Sequence, residues 1–175
     1  MAKIVLKKHI FLIGLPLSGK SSLVLSCKER LNLPTVDIDA EIERMTNLDI
    51  PSIWEKYGEF TFRTIERYVL ATILCNSPKI VACGGGISNF MDNMSLISTN
   101  SVIYIQANPI MLAKRKIVNR PLFFNQNEIV QKLEDLFIRR KESYERAQFW
   151  FATQDGIEQN ADSFINFLVK NKLIS

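Results

Sequence analysis

A chain of 175 residues with 47% hydrophobic and 23% charged side chains has the ordinary composition of a soluble globular protein, long enough to bury a core as one domain over residues 1–175. The formal net charge of +4 suits an anionic small-molecule ligand; with no concentrated basic stripe interleaved with aromatics, it argues against a nucleic-acid partner. A single histidine, His9, excludes His-based triads and multi-His metal sites, and no apolar stretch reaches the ~20 residues of a membrane span.

Lysines ahead of the first apolar run imitate a secretory signal, but that run is short and leads straight into a phosphate-binding pattern that cleavage would destroy. Residues 9–13 predict a buried strand and residues 22–30 the first turns of a helix. A short second strand is expected at 33–37 and a helix start at 39–45. Residues 50–58 predict a short helix with Pro51 in its first turn and Gly58 at its end. Phe62, Ile65, Val69 and Ile73 recur at helical spacing and predict a longer amphipathic helix over 59–76. A buried strand at 79–83 runs into three glycines, followed by a helix at 89–98, a strand at 101–105 and a helix at 109–118. A polar and aromatic loop at 119–127 precedes a long helix over 128–146, a last strand at 149–152 and a last helix at 161–172. Strands alternating with helices predict a parallel sheet covered on both faces. Cys27, Cys75 and Cys83 form no C-x-x-C pair and lie in apolar surroundings, which predicts free buried thiols in a reducing compartment.

The stretch from Gly14 to Ser21 reads G-x-x-x-x-G-K-S between a strand and a helix, the context of a P-loop. Gly14, Pro16, Ser18, Gly19, Lys20, Ser21 and Ser22 would surround the phosphates, whose oxygens are held by inward-pointing loop N–H groups and the helix N-terminus. Lys20 is placed to reach the β- and γ-phosphates, and the Ser21 hydroxyl to ligate Mg²⁺. Asp37 and Asp39, at i and i+2 at a strand end, are expected to face one side, Asp37 toward the metal and Asp39 toward an acceptor hydroxyl; helix-capping roles are the alternative. Arg63 and Glu66, at i and i+3, share a helix face, so Glu66 could orient Arg63 to grip a carboxylate or phosphate, although spacing alone favours a surface ion pair. Gly84, Gly85 and Gly86 would admit a ligand close to the backbone. Arg120 lies where a closing loop would bring it onto phosphates; of Arg139, Arg140 and Lys141, at least one must face solvent.

Together these residues resemble shikimate kinase over nearly the whole chain. The resemblance rests on Gly14 to Ser21, Asp37-Ile38-Asp39, the block from Ile53 to Glu66, Gly84-Gly85-Gly86, Asn119-Arg120-Pro121-Leu122, and Arg140 four residues before Tyr144. It implies a three-layer α/β/α P-loop kinase with a five-stranded parallel sheet in the order 2-3-1-4-5, substrate-binding helices at about 39–76 and a lid at about 119–127. It implies ATP and Mg²⁺, and phosphorylation of the 3-hydroxyl of shikimate by a cytoplasmic monomer in aromatic amino-acid biosynthesis. Arg63 and Arg140 would hold the shikimate carboxylate, beside Gly84, Gly85 and Gly86. Asp39 would take the proton from the attacking hydroxyl, Arg120 would swing onto the phosphates, and Trp54 and Phe62 would line the substrate side.

Two departures stand out. Leu17 occupies a position where the family usually has glycine, and altered nucleotide affinity is the expected result. Arg115 is the candidate for stacking on adenine, and no residue of 153–159 is assigned to the base. The competing readings are a kinase for another small acceptor, such as gluconate or a nucleoside monophosphate, and a non-catalytic nucleotide-binding module.

Overall fold

The computed structural model describes residues 4–113, 129–154 and 156–174. Five strands form one parallel sheet: β1 (Ile10–Ile13), β2 (Thr35–Asp37), β3 (Ile80–Ala82), β4 (Ser101–Gln106) and β5 (Phe149–Ala152), in the spatial order β2-β3-β1-β4-β5. The helices are α1 (Lys20–Leu31), α2 (Ile38–Thr46), α3 (Ile50–Leu74), α4 (Asn93–Ile97), α5 (Pro109–Ala113), α6 (Ile129–Glu145) and α7 (Ile157–Lys170). The expected sheet order is borne out.

The central strands are apolar without interruption because both faces are covered. Alternate residues enter opposite cores. Phe11, Ile13, Val81, Val102 and Tyr104 pack into one apolar cluster, with α2, the buried face of α3, and Leu133 and Tyr144 of α6. Ile10, Leu12, Ile80, Ile103 and Ile105 point the other way, against Leu23, Val24 and Cys27 of α1 and Phe164 and Leu168 of α7. The parallel register aligns Phe11 with Val81 and Val102, so each core row runs across three strands.

Several boundaries differ from the sequence expectation, each for a local reason. The break expected between the helices at 50–58 and 59–76 is the exception and is present: within α3 the chain kinks at Gly58, which takes φ 78°, ψ 169°, a conformation essentially reserved for glycine. The helix expected over 89–98 is reduced to a 3-10 turn at Ile87–Asn89 and the five-residue α4. The last helix begins one turn early, at Ile157, where Asn160 bonds the carbonyls of Gln154 and Gly156 and orders the turn. Cys27 and Cys83 are buried as expected, but Cys75 is exposed, because it caps the C-terminus of α3 rather than facing its core. The second half of the helix expected at 109–118, and the lid region at 119–127, lie outside the described residues.

His9 is buried at the edge opposite the phosphate loop. Its Nδ1 accepts a hydrogen bond from the Lys79 backbone N–H at 3.2 Å, which requires the neutral ring. Burial, chiefly, holds its pKa below the ordinary 6.5, so the unfolded chain binds this proton more readily than the native one. Stability should therefore fall as pH drops below about 6.5, toward the lowered pKa of the folded state. Chemical denaturation across pH 5–8 checks this: His9→Asn should show a shallower acid-side loss than the parent chain, and equal slopes would remove His9 from the effect.

Candidate active site

The carboxyl ends of β1, β2 and β3 open onto one cleft of about 530 Å³, a volume ordinary for a small-molecule site. Its floor is the loop after β1. Gly19 caps α1 in a left-handed conformation without a side-chain cap, and the first turn of α1 carries no acid. The N-terminal N–H groups and the positive end of the helix dipole are therefore directed at the cleft. Lys20, largely buried, lies back along its own loop: Nζ donates to the carbonyls of Gly14 (3.1 Å) and Leu15 (2.7 Å) and to Ser18 Oγ (3.2 Å). Ser18, Gly19, Lys20, Ser21 and Ser22 all line the cleft, while Gly14 and Pro16 form the buried base of the loop.

Leu17 also lines the cleft and packs against the core. Its φ is +66°, a left-handed conformation costing a side-chain-bearing residue roughly 1–2 kcal/mol. That is the physical reason a glycine is at home there; the half-buried leucine side chain offsets part of the cost by its apolar contacts.

Asp37 and Asp39 line the same cleft, but not as successive outward residues of one strand. Asp37 ends β2 and caps α2, its Oδ1 accepting from the N–H groups of Asp39 (3.0 Å) and Ala40 (3.4 Å). Asp39 sits in the first turn of α2. The convergence comes from the strand-to-helix turn, so the extended-chain argument is corrected while the shared side is retained. The capping role falls to Asp37.

Among the described residues no group of three or more His, Cys, Asp or Glu side chains could hold a metal by itself. Ser21 and Asp37 on one cleft nevertheless fit Mg²⁺, which takes one or two protein ligands and fills the rest of its shell with phosphate oxygens and water.

The second half of the site is built on the triple-glycine turn after β3. The glycines leave room for the protein's own groups. A methyl carbon on Gly84 would lie 2.0 Å from Glu66 Oε1 and 3.1 Å from Asp39 Oδ1. One on Gly85 would lie 2.8 Å from Pro16 Cδ, and one on Gly86 2.5 Å from Arg63 Nη2. The phosphate loop and the ion pair of α3 are thus packed directly against this turn. From α6, Arg140 Nη1 and the Tyr144 hydroxyl both donate to the Gly85 carbonyl at 2.8 Å. Tyr144 is fully buried and stacked on Tyr104, with ring centroids 5.0 Å apart. Arg139 and Lys141, either side of Arg140, are exposed.

The Arg63–Glu66 pair is not on the surface, as spacing alone suggested. Arg63 is 7% exposed and Glu66 0%. Arg63 Nη1 donates to Glu66 Oε2 at 2.7 Å, and its guanidinium lies 5.0 Å from the Phe62 ring centre and 5.7 Å from that of Trp54. Glu66 Oε1 and Trp54 Nε1 are buried and find no hydrogen-bond partner among the described residues. Burial raises the Glu66 pKa to about 7, against the pull of Arg63 and Arg140 and with a smaller push from Asp39.

The cleft therefore joins the phosphate loop to Asp37, Asp39 and Gly85, and Arg63 and Arg140 attach to it through Gly86 and Gly85. Arg120 and Arg115 lie outside the described residues. Six further residues contribute to the site beyond those the sequence points to. Cys83 lines the cleft at the end of β3, with a thiol that burial keeps protonated. Tyr144 anchors the glycine turn. Thr153, Gly156, Ile157 and Asn160 close the far end of the cleft. Only Tyr144 carried a signal, its helical spacing from Arg140.

Comparison with known proteins agrees with this geometry. The family model described as shikimate kinase matches residues 16–169. The shikimate kinase of Thermodesulfovibrio yellowstonii is 31% identical over 150 residues, covering 84% of this chain and 86% of that protein. The structure of shikimate kinase from Acinetobacter baumannii in complex with shikimate superposes with a TM-score of 0.86 at 32% identity, covering 95% of each chain. That from Bacteroides thetaiotaomicron gives 0.82 at 25% identity, covering 94% of this chain and 98% of the other. With the buried Arg63–Glu66 pair packed against the glycine turn beside its phosphate-loop cleft, the chain belongs to the shikimate kinase family, which are phosphotransferases.

Proposed function

We propose that this chain transfers the γ-phosphoryl group of ATP to the 3-hydroxyl of shikimate, giving shikimate 3-phosphate in aromatic amino-acid biosynthesis. The observation that carries the reading is the contact between the two half-sites: Pro16 of the phosphate loop packs on Gly85, whose neighbours hold Arg63 and Glu66 and whose carbonyl holds Arg140. A donor phosphate on the loop N–H groups and an acceptor carboxylate on Arg63 and Arg140 would then be held at a fixed separation, and that positioning is the main source of rate in phosphoryl transfer.

In this reading the amides from Gly14 to Ser22 cradle the phosphates. Lys20 leaves its loop carbonyls for the phosphate oxygens, and the loop's own geometry holds it within reach. Ser21 and Asp37 would hold Mg²⁺, which when bound offsets charge on the bridging phosphates. Asp39, on the cleft between the phosphate loop and Gly84, orients the acceptor hydroxyl and takes its proton. Arg63 and Arg140 grip the acceptor carboxylate, with Gly84, Gly85 and Gly86 beneath the ring and Trp54 and Phe62 beside it. Arg120 completes the set as the lid arginine. The buried free thiols Cys27 and Cys83 suit a cytoplasmic enzyme, and action as a monomeric single domain belongs to the same reading.

A coupled ADP-release assay tests it, with shikimate, quinate, gluconate and nucleoside monophosphates as acceptors. Turnover with shikimate well above the others is expected; turnover confined to another acceptor, or none at all, contradicts the reading. Within that assay, Arg63→Ala should raise the KM for shikimate by about ten- to a hundredfold, the worth of a charge-assisted hydrogen bond to a carboxylate. Lys20→Ala should instead cut kcat by about a hundredfold or more. An unchanged shikimate KM in the first variant, or an unchanged kcat in the second, would remove that residue from its role.

A further inference from the structure

Glu66 has a feature that holding Arg63 does not explain. Its side chain is sealed from solvent, and Oε2 is used on Arg63, yet Oε1 faces Gly84 with no donor among the described residues. The same point beside Gly84 is 3.1 Å from Asp39 Oδ1, so two carboxylates converge across one glycine. A buried carboxylate oxygen with no donor, facing a second carboxylate, is a poor place for a full negative charge and a good place for a proton.

We infer that an anionic acceptor binds to this chain together with a proton, and that Oε1 of Glu66 receives it. The inference rests on the acceptor reading above. The charged and titratable groups around Glu66 are Arg63 on its own helix, Asp39 from α2, Arg140 from α6 and the Cys83 thiol from β3. An acceptor carboxylate docking on Arg63 and Arg140 changes this balance in one direction. It shares the two cations that favour ionised Glu66, and it adds a negative charge nearby. The proton comes from buffer; Oε1 becomes a hydroxyl, and no other bond is made or broken. Glu66 already lies near its midpoint at neutrality, so a modest push suffices to change its occupancy. Glu66 is thereby a positioning residue whose charge sets acceptor affinity, while the cation it orients, Arg63, makes the contact.

The test is calorimetric titration of shikimate into the whole protein, without nucleotide, in buffers of different ionisation enthalpy from pH 5.5 to 9. If binding raises the Glu66 pKa by about one unit, about half a proton is taken up per shikimate near pH 7.5, declining to none at both ends of the range. Shikimate affinity should fall up to about tenfold as pH rises through this window. Glu66→Gln should abolish the uptake and flatten the pH dependence, whereas Glu59→Gln, which alters the exposed partner of Arg63, should keep both. Binding with no buffer-dependent heat in the parent chain, a measurement that needs no variant, would overturn the inference and leave the kinase reading standing. Uptake that persists in Glu66→Gln would overturn the assignment to Glu66. Absence of any binding heat with shikimate would overturn the functional reading, and this inference with it.

Discussion

The proposed acceptor half of the site depends on one buried ion pair. Arg63 and Glu66 lie on one face of α3 and are pressed against a turn that has no side chains. Burying a charged pair gains little stability over an apolar pair of the same size, and breaking it by removing one partner is costly. Such a pair is informative about placement. With Oε2 of Glu66 on Nη1, Gly86 beneath Nη2 and the Phe62 and Trp54 rings alongside, the Arg63 guanidinium has one orientation, set before any acceptor arrives.

The donor half is built by the parallel sheet. Strands that pair in register carry their carboxyl ends to the same level, so the loops after β1, β2 and β3 open side by side. β3 lies between β2 and β1, so the glycine turn that follows it opens beside the phosphate loop. Pro16 touches Gly85, and through Gly85 the carbonyl bonds of Arg140 and Tyr144 reach α6. A shift of the phosphate loop would press on the glycine turn, and the turn on Arg63, so the two half-sites form one packed assembly. Leu17 is the strained member: a leucine held at φ +66° by contacts with the core, lining the surface that phosphate must approach.

Much of this was legible in the residues. Unbroken apolar strands alternating with helical periodicity specified the covered parallel sheet, and Gly58 marked the break in α3. The phosphate loop was readable because its chemistry is local, confined to eight consecutive residues. What spacing could not show was contact between distant segments. The i, i+3 relation of Arg63 and Glu66 is the same on a surface as in a core, and only the fold puts Gly84 and Gly86 against them. Three glycines in a row suggest close approach to the backbone, but only the fold shows that Glu66, Pro16 and Arg63 fill the side-chain positions at this turn. Asp37 and Asp39 share one cleft, as their i, i+2 spacing suggests, but the chain turns into α2 between them, which spacing does not show. Cys75 looked like a core residue because its neighbours are apolar, yet its position at the helix end exposes it.

In the proposed function the glycine turn gives Arg63 its position, and through Arg63 the acceptor its affinity. Shikimate and ATP affinities of Gly86→Ala test this most directly, because the added methyl falls 2.5 Å from Arg63 Nη2 while the phosphate loop contacts Gly85 instead. A shikimate KM raised by about tenfold or more is expected, the loss of one oriented charge-assisted contact, with the ATP KM little changed. A folded Gly86→Ala protein with an unaltered shikimate KM would contradict it.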